Sequence, residues 1–288
     1  MNKKILTALV ITTLALALPA SAKSSLWKVS KGDDHLFIGG TVHMLSKSDF
    51  PLPPEFEAVY KQSEQLVFET DMKKLQDPAI QMKMMQIMSY QDGSTLKDHL
   101  KPETYKALEE YASTAGIPML MINNFKPGMA ATMLTIFELK KLGVDSEGVD
   151  AFYNNKATED NKTLGKLETV ESQMNFLANL GGKDPDGFIM YTLRDMKELP
   201  KIFSDMKTAW KTGDIQKLTD IGITPIKTEF PDVYQNLIVK RNKAWIPQIE
   251  TMMKTKEIEM ILVGALHLAG DDSVLAQLKN LGYTIEQF

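Results

Sequence analysis

No cysteine occurs among the 288 residues. That absence removes disulfides, thiolate nucleophiles and thiolate metal ligands together. Arginine is nearly missing too, with Arg194 and Arg241 the two in the chain. There are 37 acidic against 33 basic residues, a formal charge of −4. A surface so acidic and poor in arginine argues against nucleic acid as a partner. No stretch after residue 22 is long and apolar enough to span a bilayer, so no transmembrane segment is expected in the mature chain. His-Glu-x-x-His, Gly-x-Ser-x-Gly and phosphate-cradling glycine loops are all absent, which leaves zincin, α/β-hydrolase and nucleotide-binding readings without support.

What is present begins with an address. Lys3 and Lys4 precede an apolar run over residues 5–18, then Pro19 and the small-residue site Ala20-Ser21-Ala22. This pattern predicts a secretory signal peptide over residues 1–22, cleaved near Ala22, and a periplasmic or secreted protein. No cysteine follows the site to carry a lipid. Removing the two lysines leaves 31 basic residues against 37 acids, a net charge of −6. Residues 23–288 are long enough for one large core.

The chain has four histidines, and two share one context. Ile38-Gly39-Gly40-Thr41-Val42-His43 is echoed by Leu262-Val263-Gly264-Ala265-Leu266-His267. Each is an apolar run, a glycine (Gly40 or Gly264), two residues and a histidine. Ligand sites in sheets with helical crossovers lie beyond the strand ends. A glycine there lets the chain leave the strand sharply, and an imidazole three residues on can ligate a metal or move protons near neutral pH. The fold is therefore expected to bring the two copies side by side. Glu69 ends the apolar run 65–68 and is the leading carboxylate; the alternative is an ordinary surface acid. Two imidazoles and a carboxylate suit a divalent ion such as zinc, manganese or cobalt and leave positions for water or substrate. Glu168 has the same strand-then-acid setting, against the alternative of a first-turn helix acid. Arg241 can hold a carboxylate or anionic intermediate in a fork, against the alternative of a solvated helix charge. Asn242 beside it is a polar group to orient or bind substrate. His35 and His99 lack the context and read as surface or strand residues.

Alternating residues 26–30, turn residues 31–34 and the run 35–39 predict a β-hairpin. A helix is expected over 55–64, a short strand over 65–69 and mostly helix over 77–142. That helical region is rich in methionine, including Met82, Met84, Met85, Met88, Met129 and Met133. It reads as core filler or lid packing, or as an adaptable apolar surface. A helix opens at residues 146–150, a short strand occupies 162–167, and Thr169 caps the next helix. Two or three helices lead to Ile221. One long helix covers 234–253, kinked or broken at Pro247. A buried strand over 258–263, a helix over 273–281 and a last strand over 282–285 close the chain. Glu286, the positional counterpart of Glu69, reads as solvated. The architecture implied is α/β: a mixed central sheet flanked by helices with a helical, methionine-rich insertion, and a weak repeat of strand, Gly-x-x-His, helix, strand and glutamate that suggests two pseudo-repeated halves.

These residues resemble the TraB/GumN family, which includes the animal Tiki proteins. The likeness runs through Leu26-Trp27, the first Gly-x-x-His motif, Leu66-Val67-Phe68-Glu69, Gly148-Val149-Asp150, Leu167-Glu168-Thr169 with Gln173, and Trp210 with Gly213-Asp214. It continues through Arg241-Asn242 with Trp245 to Val263-Gly264-Ala265-Leu266-His267 and Leu281-Gly282-Tyr283. The resemblance implies an α/β fold with two related halves. It also implies a metal-dependent, peptidase-like hydrolase in which His43, His267 and Glu69 hold a divalent ion (Mn, Co or Zn), with Glu69 as ligand or base. Glu168 and Arg241 would position a peptide or small-molecule substrate or stabilise an oxyanion. The wider superfamily also holds haem-binding ChaN-like proteins and erythromycin-esterase-like enzymes. A non-enzymatic haem- or metal-binding module and a metal-independent esterase-like hydrolase are therefore the alternatives.

Overall fold

The computed structural model describes residues 23–288, so the expected signal peptide lies outside the described residues. Eight strands are present there: β1 (Leu26–Lys31), β2 (Asp34–Thr41), β3 (Met44–Leu45), β4 (Gln65–Phe68), β5 (Ser146–Glu147), β6 (Thr163–Lys166), β7 (Glu259–Gly264) and β8 (Thr284–Gln287). Six of them form one mixed sheet in the order β6-β4-β7-β2-β1-β8. The predicted hairpin is β1 and β2, antiparallel, closing with Lys31 opposite Asp34 across Gly32 at φ +65°. β2, β7, β4 and β6 run parallel, so their C-terminal ends share one edge.

β7 is the central strand, and five of its six residues are buried. Its side chains alternate between faces, as a strand requires. Met260 and Leu262 pack with Phe56 and Trp210 on one side. Ile261 and Val263 pack with Trp245 and Val274 on the other. Burying each such aliphatic side chain contributes roughly 1.5–3 kcal/mol. A parallel sheet covered on both faces reads as a continuous apolar run, which is how 258–263 reads in sequence.

Fourteen α-helices surround the sheet among the described residues. Early in the chain come α1 (Pro54–Gln62), α2 (Pro78–Met88), α3 (Leu96–His99), α4 (Pro102–Ala115), α5 (Pro127–Lys141), α6 (Val149–Glu159) and α7 (Val170–Ala178). After them come α8 (Pro185–Met196), α9 (Leu199–Thr212), α10 (Ile215–Leu218), α11 (Thr224–Glu229), α12 (Pro231–Tyr234), α13 (Lys240–Met252) and α14 (Val274–Asn280). Helices α3, α4, α5 and α8 enclose a core of their own around Leu108, Leu134 and Ile189. The methionines there divide: Met88 and Met174 are buried, Met84, Met129 and Met133 pack at the edge of the core, and Met82 and Met85 are exposed.

Two local expectations change. Ser146 and Glu147 do not open a helix; they pair with Leu45 and Met44 as β5, and the helix starts at Val149. Pro247 lies inside α13 without ending it, because buried Trp245, Ile246 and Ile249 hold the turns on both sides against the sheet. The helix instead widens upstream, in a π turn over Gln235–Val239, one turn before Arg241. Such turns are frequent at functional sites. The two strand–helix–strand units, β2-α1-β4 and β7-α14-β8, are interleaved in one sheet, with β7 lying between β2 and β4.

Candidate active site

The two Gly-x-x-His motifs sit on adjacent parallel strands, with Thr41 in register with Gly264. β4 and β6 continue the same edge, and Glu168 N–H donates to the Glu69 carbonyl at 2.9 Å just past the strand ends. Four neighbouring strand ends thus deliver His43, His267, Glu69 and Glu168 to one crevice.

The glycines act through what they lack rather than through backbone freedom. Neither Gly40 nor Gly264 has a positive φ; what each strand exit requires is the absence of a Cβ. At Gly264 a Cβ would stand 3.2 Å from Glu69 Oε1 and 3.6 Å from both His43 Nε2 and His267 Cδ2. The missing side chain is the space on which the three groups converge.

Arg241 organises the floor. It is buried, and its five N–H donors all point at acceptors. Nε and Nη2 reach the two oxygens of Glu168 at 3.2 and 2.7 Å. Nη2 also reaches Glu69 Oε2 at 2.5 Å, and Nη1 faces His267 Nε2 at 3.0 Å and the Leu237 carbonyl at 3.4 Å. The solvated helix charge expected as the alternative is therefore not what the fold makes of Arg241. Glu69 is held further by the Gly264 N–H on Oε1 at 2.6 Å and by Gln173 Nε2 on Oε2 at 3.1 Å. Burial raises its carboxyl, but His267, Arg241, His43 and the Gly264 N–H outweigh burial and hold it at about 2. His267 is itself neutral near pH 7, so the cations that act on Glu69 there are Arg241 and His43. Glu168 moves the other way: its burial, and Glu69 beside it, exceed the help it receives from Arg241.

His267 is pinned in one tautomer. Arg241 can only donate, so Nε2 bears the lone pair and Nδ1–H donates to Asn242 Oδ1 at 2.6 Å. The Asn242 amide nitrogen is spent on the His267 and Asp272 carbonyls, which fixes which end of the amide faces the ring. Burial above all, with Arg241 and His43 adding to it against Glu69, pushes His267 down to about 3. The Trp245 ring packs against the imidazole at 4.5 Å between centroids. Asn242 thus lies behind His267 and is absent from the cavity lining; of the two expected roles, its contacts are those of an orienting group and not of a substrate-binding one.

His43 is the opposite case. Its Nδ1 lies 3.2 Å from Asp150 Oδ1, an ion pair rather than an aligned hydrogen bond. Asp150 raises the imidazole to about 9, against burial. Its side chain is 63% accessible, and that surface opens onto a cavity of about 560 Å³. His43, Glu69, Arg241 and His267 all line this cavity, whereas Glu168 reaches it only through Arg241. His35, His99 and Glu286 do not line the cavity: His35 meets Phe37 edge to face, His99 stacks on Tyr90, and Glu286 stands opposite Lys28 in the β8–β1 register.

Asp150 and Gln173 have no site role in a reading of spacing alone. Each lies far in sequence from the residue it serves, and the one signal was their presence among the residues that carry the family resemblance. Trp210 is similar; its indole N–H donates to the Gly40 carbonyl at 2.7 Å and pins the first motif from below.

In residue type, two imidazoles and a carboxylate are ligands that a divalent ion takes. Both imidazoles have Nδ1 faced from behind by an oxygen, the usual support of a metal-bound histidine, while His43 Nε2 and Glu69 Oε1 both border the space above Gly264. The fit is of donor type and orientation rather than of spacing. Among the described residues no group of three or more such side chains is already at ligating distance, and Arg241 covers the His267 lone pair.

The sequence model of the TraB/PrgY/gumN family matches residues 25–287. The "Uncharacterized protein YbaP" of Escherichia coli (strain K12) is 24% identical over 249 residues, covering 86% of this chain and 89% of the relative. The protein of the same description from Shigella flexneri matches to the same extent. No solved structure matches significantly.

Proposed function

The chain belongs to the TraB/PrgY/gumN family, and from that premise we propose that it is a periplasmic or secreted hydrolase that cleaves a peptide or small-molecule carbonyl compound with a divalent ion at His43, His267 and Glu69. One observation carries the reading: two histidines braced at Nδ1, by Asp150 and Asn242, stand around Gly264 with an ionised carboxylate at the floor of a large cavity. Such an ion would supply an activated water and polarise a carbonyl.

The chain's own residues set the conditions. Asp150 holds His43 protonated near neutral pH. Ligation would need the neutral ring, so His43 would have to give up that proton and would hold an ion better as pH rises. Asn242 keeps the His267 lone pair at Nε2, and Arg241 has to yield it. Once displaced from His267, that part of the guanidinium is a donor for a developing oxyanion, while Glu168 still holds the other edge.

The Arg241–His267 contact also favours a second reading, metal-free hydrolysis. There, protonated His43 serves as general acid and ionised Glu69 as base. Metal analysis of protein purified without chelator, together with activity and melting after adding manganese, cobalt or zinc, separates the two. Bound ion and a metal-dependent rise in activity, both lost in His267→Ala, support the first. Activity that survives exhaustive chelation yet disappears in His43→Ala supports the second. No hydrolysis under either condition removes both. N-terminal sequencing of secreted material, starting near Lys23, tests the location.

A further inference from the structure

The cavity is polar on its floor and apolar on its walls. Phe176 and Leu177 on α7 form one wall, Phe203 and Met206 on α9 another, and Leu237 and Ile238 in the π turn a third. All of these except Ile238 are only half-buried, and all line the cavity. Its volume of about 560 Å³ falls within the range of small-molecule sites. Every charged side chain that lines it already has a partner within the chain. Lys207 is paired with Asp49 at 2.9 Å, His43 with Asp150, and Glu69 with Arg241. A strongly charged ligand would meet no free counter-charge there and would lose its hydration.

We propose that the cavity takes an uncharged substrate whose reacting carbonyl bears a long apolar chain, with the carbonyl at the His43 and Glu69 floor and the chain between α7, α9 and the π turn. This rests on reading the floor as hydrolytic. The chemistry is shared by two sources, an acyl ester and a peptide with a large apolar residue on the acyl side of the cleaved bond.

Each methylene moved from water into such walls contributes about 0.8 kcal/mol, which is about fourfold in affinity. Isothermal titration with n-alkyl methyl ketones, from butyl to dodecyl, reads this directly, because these carbonyl compounds bind without being cleaved. Affinity should rise about fourfold per carbon, with an increasingly negative heat-capacity change, until the cavity is full. Met206→Trp should bring the plateau to a shorter chain. Phe203→Asp should weaken long chains far more than short ones. Both positions are half-buried, and thermal unfolding verifies that each variant is folded. Affinity that does not depend on chain length overturns the proposal, as does a chain-length series that both folded variants leave unchanged. Two further substrate series, p-nitrophenyl acyl esters and short peptides with leucine or phenylalanine before the amide, assign the source. A chain-length trend in the ketones without hydrolysis of any substrate would remove the hydrolytic floor and leave the apolar walls standing. Hydrolysis of short polar substrates with a flat ketone series would do the reverse.

Discussion

Arg241 Nη1 lies 3.0 Å from His267 Nε2, a cation placed on the very nitrogen that a metal or a proton would use. The contact costs nothing in charge repulsion because His267 is neutral, and it is neutral because burial makes its charged form too expensive. The result is a lone pair kept in the correct tautomer and covered.

Replacing Arg241 by alanine leaves Glu69 and Glu168 buried beside each other without their cation. Loss of one partner of such a buried pair costs roughly 3–5 kcal/mol. Urea unfolding at neutral pH should show that loss, and the deficit should shrink as pH falls and the carboxylates take up protons. Arg241→Lys keeps the charge but not the fork, so it should recover only part of the stability.

The His43 titration should have its midpoint near 9 by NMR, and Asp150→Asn should return it towards the ordinary 6.5. Because the folded value is the higher one, its stabilisation is complete below pH 6.5 and is lost as pH rises through about 9. With the ring 63% accessible, screening reduces that contribution to on the order of 1 kcal/mol. The difference in stability between wild type and Asp150→Asn should therefore be largest at about pH 6, with the ring charged and the carboxylate ionised, and disappear above about pH 10.

Asn242→Ala removes the acceptor of His267 Nδ1–H and the donor to two buried carbonyls. Each group left unsatisfied costs about 1–3 kcal/mol. If an ion is bound, its affinity should fall about 10–100-fold with the supporting contact gone. Calorimetric unfolding and a metal titration of the same variant measure the two effects separately.

Gly148→Ala would drive a methyl group into the Val42 carbonyl and the His43 backbone, where the chain approaches too closely for any side chain. Overpacking of this kind costs typically ~1–3 kcal/mol. Moving that backbone also moves His43 away from Asp150. The variant should lose melting temperature and, as a second readout, show a lowered His43 titration midpoint.

Much of this was legible in the sequence because it lies in local patterns. The hairpin, the central strand and the glycine-histidine echo are short-range signals, and the expected meeting of the two echoes is met by the pairing of β2 with β7. What was hidden is long-range. Asp150 faces His43 from the start of α6, and Gln173 reaches Glu69 from α7, contacts that no spacing announces. That the glycines mark sharp strand exits was legible; which groups fill the space their side chains leave was not. The long helix through Pro247 was legible too, but not that the proline would leave it unbroken: local preference was overridden by packing that only the assembled core supplies.

β2 and β4 are both made early, yet they never touch, because β7 lies between them. Synthesis runs from the N-terminus. Until residues 259–264 emerge, the β1-β2 hairpin and the β4-β6 pair have no strand to join them, and each keeps an open edge that can mispair. Pairings between such distant segments form slowly. The growing chain therefore carries His43 and Glu69 for most of its synthesis with no site to place them in. The histidine that completes the crevice follows the strand that locks the sheet, so a chain cut short before that strand lacks both.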